Sequence, residues 1–171
     1  MAINFSSGTL SGPTKILQVV SVTKTDTFTA TSGAVADVPG LQPTITPTST
    51  SSKILILTDV AIAVNTTGGF RVGARVVRRI GGSDSIIFQG SANGDRTRTM
   101  WASHVTEYNG FMHRANIQHL DSPNTTSAIT YKFQLDRIDG GSTSVNLGFN
   151  DQDSASHGAP ISSVTLLEVA A

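Results

Sequence analysis

Hydrophobic and polar positions alternate along most of this chain with period two, and the alternation is broken at short intervals by glycine, proline and asparagine. That is the signature of many short β-strands joined by turns. One stretch departs from it. Ile54 to Val64, ILILTDVAIAV, is nearly unbroken in its apolar character, with Asp59 its only charge, and follows the hydroxyl-rich cluster Ser49-Thr50-Ser51-Ser52-Lys53. It is too short to cross a bilayer as a helix, which takes about 20 residues. Its β-branched content favours a strand, and a strand that does not alternate is expected to be covered on both faces. In an all-β chain that means either the centre of a sandwich or a sheet whose outer face is covered by another subunit; on the second reading Ile54, Ile56, Val60 and Ile62 are the candidate interface residues.

The other elements follow in order. Lys15 to Thr23 is the first strand, Thr25 to Thr31 a more exposed second, and Thr44 to Thr46 a short one before Pro47. Phe70 to Ile80 turns Phe70, Val72, Ala74 and Val76 inward and Arg71, Arg75 and Arg79 outward. Gly81-Gly82 then leads into Ser85 to Gln89 as a hairpin. Trp101 to Tyr108 and Met112 to Leu120 flank Asn109-Gly110, a strong signal for a second hairpin. Ala128 to Ile138 and Ser144 to Phe149 surround Gly140-Gly141, and Ile161 to Val169 closes the chain. About ten strands without a helix predict an all-β, antiparallel sandwich of the jelly-roll kind. Residues 14–171 form that domain. Residues 1–13 read as an extended arm, with Ile3, Phe5 and Leu10 as anchors for a neighbouring protein.

Composition narrows the function. Twelve basic residues balance twelve acidic ones, so no overall field draws the chain to nucleic acid or an anionic membrane. Ser and Thr make up about a quarter of the chain, which suits strands and turns better than helices. There is no cysteine, so thiolate chemistry and disulfides are excluded. The start of the chain has no basic and apolar leader, and no stretch reads as membrane-inserting.

Candidate chemistry is sparse. His104, His113, His119 and His157 are scattered, and His113 and His119 stand six residues, about 20 Å, apart on one strand. Asn150-Asp151-Gln152-Asp153 lacks the glycine and glutamate of a calcium loop. There is no G-x-S-x-G and no marked carboxylate pair. No enzyme activity, metal or cofactor is expected. Arg71, Arg75 and Arg79 with Arg96 and Arg98 are read either as a salt-bridge belt at a subunit or capsid contact, or as a solvated face paired to local acids such as Asp84 and Asp95. Polar residues at Asn65, Gly141, Asn150, Asp151, Asp153 and His157 mark exposed loop tips suited to recognition.

The order SVTKTDTFT, VPGLQPTITPTSTSSKILI, GDRTR, HLDSPNTTSAITYKFQ, NDQDSASHG and SSVTLLEV resembles a family of small virion structural proteins of tailed bacteriophages, common in marine and cyanobacterial phages. The likeness runs from about Lys15 to the end. It implies a jelly-roll domain that assembles as a homotrimer, of a kind found both at fibre tips and on capsid surfaces. The expected place is the outer surface of the virion, after synthesis in the host cytoplasm, with other virion proteins such as a major capsid or tail protein as partners. No coiled-coil heptad or shaft repeat is present, which favours a small knob or capsid decoration (cement) protein over a self-contained tail fibre. The alternative is a lectin-like module for host attachment that binds a host-surface glycan, for which Trp101 and Tyr108 are the stacking aromatics.

Overall fold

In the computed structural model, residues 15–30, 35–65, 70–105, 112–137, 142–148 and 158–171 are described, with backbone alone at 65, 70–71, 104–105 and 137. They form twelve strands: β1 (Ile16–Lys24), β2 (Phe28–Ala30), β3 (Ala36–Asp37), β4 (Thr44–Ile45), β5 (Lys53–Asn65), β6 (Phe70–Ile80), β7 (Ser83–Ile86), β8 (Trp101–Val105), β9 (Met112–Asp121), β10 (Ile129–Arg137), β11 (Ser142–Val145) and β12 (Ser162–Val169). All pairings are antiparallel.

The strands divide into two six-stranded sheets. In the first, β5 lies between β9 on one side and β12 and β11 on the other, with β1 beside β12 and β2 beside β11. In the second, β10 lies between β6 and the short pieces β3 and β4, while β7 and β8 pair with the far side of β6. Taking β3 and β4 as one interrupted strand, and setting aside β2, β7 and β11, eight principal strands remain. Numbered along the chain, they run 1-8-3-6 in the first sheet and 2-7-4-5 in the second. That double Greek key is a jelly roll. The sandwich expected from the sequence is thus present, and its strand order defines the topology.

The core lies between the sheets. Ile54, Ile56, Val60, Ile62, Leu166, Tyr131, Phe133 and Leu135 are all at most 1% exposed. This corrects the reading of β5. Its even-numbered residues from Ile54 to Ile62 point into the sandwich's own interior, so the four candidate interface residues are core residues of a single chain. The odd-numbered face carries Leu55 and Leu57, half-buried, and exposed Asp59. The run reads as continuous because leucines occupy solvent-side positions, where an ordinary strand would carry polar residues.

Two turns illustrate local control. Gly81 and Gly82 join β6 to β7 with φ of +56° and +87°, the left-handed region that a two-residue hairpin requires and glycine occupies freely. The strands on either side of Asn109-Gly110, a dipeptide that lies outside the described residues, pair otherwise than expected. β8 pairs with β6 in one sheet and β9 pairs with β5 in the other, so the strands flanking that dipeptide are not a hairpin. Turn chemistry is local, whereas the partner of β9 is fixed by burial of Ala115 and Ile117 against the core.

Candidate functional site

The side chains that could meet a partner lie on the two outer faces of the sandwich, and these differ in character. On the first sheet, register places Leu55 opposite Leu167 of β12 and Leu120 of β9, and places Leu167 opposite Val19 of β1. Strands stand about 4.8 Å apart, so Val19, Leu167, Leu55 and Leu120 form an apolar row about 14 Å long across the outer face. Val19 is 58% exposed and Leu120 46%. Ile16 and Leu17 extend the apolar surface at one end of β1. Farther along the same face the exposed pair Asp59 and Arg114 meets at 3.3 Å, and Arg114 Nη1 also donates to the Ile161 carbonyl at 2.8 Å.

On the second sheet the outer face is charged and satisfied internally. Lys132, 6% exposed at its side chain, donates to Asp84 at 2.7 Å and Asp37 at 3.0 Å. Arg79 pairs with Asp84 at 3.1 Å. Gln134 links Asp37 to Arg75, whose Nε donates to Gln134 Oε1 at 2.9 Å and whose Nη1 meets Asp136 at 3.3 Å. Three cations, Arg75, Arg79 and Lys132, thus face three anions, Asp37, Asp84 and Asp136. The Lys132 hydrogen bond holds the Asp84 carboxyl below its ordinary range, and that same bond, working against desolvation, raises the ammonium.

This pairing bears on two of the arginines of the belt reading. Arg75 and Arg79 find partners within the chain, Asp84 among them, as the local-pairing alternative has it. Arg98 lies on the β7–β8 connection, where its Nε donates to the Gly90 carbonyl at 2.6 Å, and Arg96 on that connection is exposed. Only the backbone of Arg71 is described, in register with His104. A further arginine of β6, Arg78, lies on the inward face, where it grips Asp121 of β9 at 2.9 and 3.0 Å.

Inside the sandwich stand polar groups that the sequence reading passed over. Asp121 receives Arg78 and the Tyr131 hydroxyl, the latter at 2.7 Å. Burial, followed by the neighbouring Asp121 carboxylate, pushes the Tyr131 phenol well above its usual value. Glu168, fully buried, accepts from the Thr48 amide and hydroxyl at 2.7 Å each and from Gln18 Nε2 at 2.6 Å. Burial alone would raise its pKa, but hydrogen bonds from Gln18, Ser52 and Thr48 outweigh that and bring it to about 2. Asn146, with φ of +58°, donates to the carbonyls of Lys24 and Asp26 and accepts from Ser162. Alternation carries the signal for two of these: Glu168 shares parity with Val164 and Leu166, and Asp121 with Ile117 and Ala115.

Trp101 is half-buried against the core and tilts on His113 with ring centroids 6.4 Å apart. Among the described residues no group of three His, Asp or Glu side chains is placed to hold a metal ion. The anchors Ile3, Phe5 and Leu10, the loop positions Gly141, Asn150, Asp151, Asp153 and His157, and Tyr108 lie outside the described residues. Asn65 is described by its backbone, paired with Ser142 at the end of β5.

No protein-family model matches the chain, and no curated protein matches it. Among solved structures it is similar to a T=1 particle derived from infectious bursal disease virus, at 14% identity and a TM-score of 0.46, over 99% of this chain and 40% of that one. It is also similar to the Gt strain of infectious bursal disease virus, at 14% identity and a TM-score of 0.44, over 90% and 38%. The VP2 subviral particle of that virus gives 13% identity and a TM-score of 0.42, over 99% and 42%. The chain spans about two fifths of the length of these structures. Likenesses of this size define neither fold nor role, and the jelly-roll assignment rests on strand order and register.

Proposed function

We propose that this chain is a virion structural protein: a homotrimeric jelly-roll knob or cement protein on the outer surface of a phage particle. Its arm, residues 1–13, joins it to another virion protein of the major capsid or tail type. The observation that carries the reading is the inequality of the two outer faces. The second sheet presents a charge network whose members already neutralise one another, and such a face gains little from a protein partner. The first presents Val19, Leu167, Leu55 and Leu120 in one row, which gains by being covered. At about 25 cal/mol per Å2 of apolar surface, covering four half-exposed aliphatic side chains is worth on the order of 4 kcal/mol per copy. A contact repeated around a three-fold axis multiplies that term. The motif order that resembles phage virion proteins supports the same role, which assigns the chain no catalysis.

The test is a cryo-EM reconstruction of phage particles that carry this chain. The expected density is a three-fold cluster on the particle exterior, with the outer face of the first sheet against a neighbouring subunit. Purified particles that lack the chain, or density with that face open to solvent, would overturn the reading.

A further inference from the structure

The first sheet ends in a strand that invites a partner. β1 pairs with β12 on one side and, among the described residues, with no strand on the other. Its segment Ile16–Thr23 contains no charged residue, so it lacks the usual defence of an open edge. Ile16, Leu17 and Val19 are exposed, and Val20 and Val22 are only half-buried although they pack against the core. An edge of this kind accepts an extended, uncharged segment that alternates apolar and polar residues.

An uncharged segment that alternates over Ile3-Asn4-Phe5-Ser6 lies immediately upstream, tethered at Lys15. Ala2 to Leu10, AINFSSGTL, is uncharged, has nine residues against the nine of β1, and is followed by Gly12-Pro13, a chain-reversing dipeptide. We propose that in the unassembled chain residues 2–10 fold back and pair antiparallel with the open edge of β1, as a thirteenth strand. A reversal centred on Gly12-Pro13 puts Ser11 opposite Thr14. It then puts Phe5 opposite Val20, and Ile3 opposite Val22.

Opposed residues of an antiparallel pair share a face. Phe5 and Ile3 therefore continue the inner face, beside the two valines that β1 leaves half-covered. Asn4 and Ser6 fall opposite Ser21 and Val19 on the solvent side. A register shifted by one residue would turn Phe5 and Ile3 to solvent, so facing selects this one. The short tether keeps the closure cost low. This inference concerns the free chain and goes beyond the virion reading, since it needs no particle.

The chain has no cysteine, so an introduced pair reports cleanly. The full-length double variant Phe5→Cys/Val20→Cys, mildly oxidised after purification, should form a disulfide within one chain. It should do so at least tenfold faster than Phe5→Cys/Ser21→Cys, whose side chains point to opposite faces. No disulfide, a disulfide between chains, or equal rates in the two variants would overturn the proposal. Hydrogen exchange on the unsubstituted chain gives a second reading. The β1 amides that do not bond to β12 should be protected at least a hundredfold, and free exchange at those amides would equally overturn it. Neither measurement depends on whether the protein joins a virion.

Discussion

Replacing Glu168 by Gln should destabilise the chain in a way that fades with acid. The carboxylate is fully buried and accepts from the Thr48 amide, the Thr48 hydroxyl and Gln18 Nε2 at 2.6–2.7 Å. A glutamine keeps the shape but turns an NH2 group towards donors, leaving at least one of them unsatisfied. Hydrogen bonds to a buried charge are worth about 1.5–3 kcal/mol each, so a loss of about 3 kcal/mol at pH 7 is expected. The pH dependence is more specific. The folded carboxyl titrates near 2 instead of its ordinary 4.5, so it stabilises the fold above about pH 4.5 and loses that contribution as pH falls towards 2. Between pH 7 and pH 3 the linkage relation gives a loss of about 2 kcal/mol. Wild type should lose that amount through this group, whereas the Gln variant has nothing there to titrate. The stability gap between the two proteins should therefore shrink by about 2 kcal/mol on going from pH 7 to pH 3. Urea unfolding followed by fluorescence of Trp101, the single tryptophan, measures both proteins at fixed concentration. A gap that stays constant over that range would refute the reasoning.

Three other outcomes are expected. Arg78→Met should cost about 3–5 kcal/mol in urea unfolding, because it leaves Asp121 buried with the Tyr131 hydroxyl as its remaining side-chain partner, and Tyr131→Phe should cost about 1–2 kcal/mol. Leu166→Ala should cost about 2–5 kcal/mol by opening a cavity, whereas the adjacent Leu167→Ala should change unfolding of one chain by less than about 1 kcal/mol while weakening self-association in sedimentation velocity. Gly82→Ala, at φ +87°, should cost about 1–2 kcal/mol in thermal unfolding and leave the oligomeric mass unchanged.

Strand positions were legible in the sequence because burial imposes period two, as in β6, β10 and β12. Partners were less so. Asn109-Gly110 carries a local hairpin preference, but the strands on either side answer to different sheets. β3, two residues long, holds too few positions to show any period. The apolar row was hidden for a different reason. Leu55, Leu120, Leu167 and Val19 are far apart along the chain and share a face only once register is known. Local pattern made Ile54, Ile56, Val60 and Ile62 the interesting side of β5, whereas the second sheet covers that side within the same chain. The charge network on β10 was likewise invisible, since Lys132 and Asp84 meet only through the pairing of β6 with both β7 and β10.

If the apolar row is a subunit contact, the outer face of the first sheet joins copies of the chain. Light scattering on the purified protein at micromolar concentration, beside the double variant Leu55→Arg/Leu120→Arg, measures this. The expected result is three copies of the 17.9 kDa chain for the wild type, and one copy, still folded by circular dichroism, for the variant. A wild-type mass of one chain, or a variant that keeps the wild-type trimer, would contradict it.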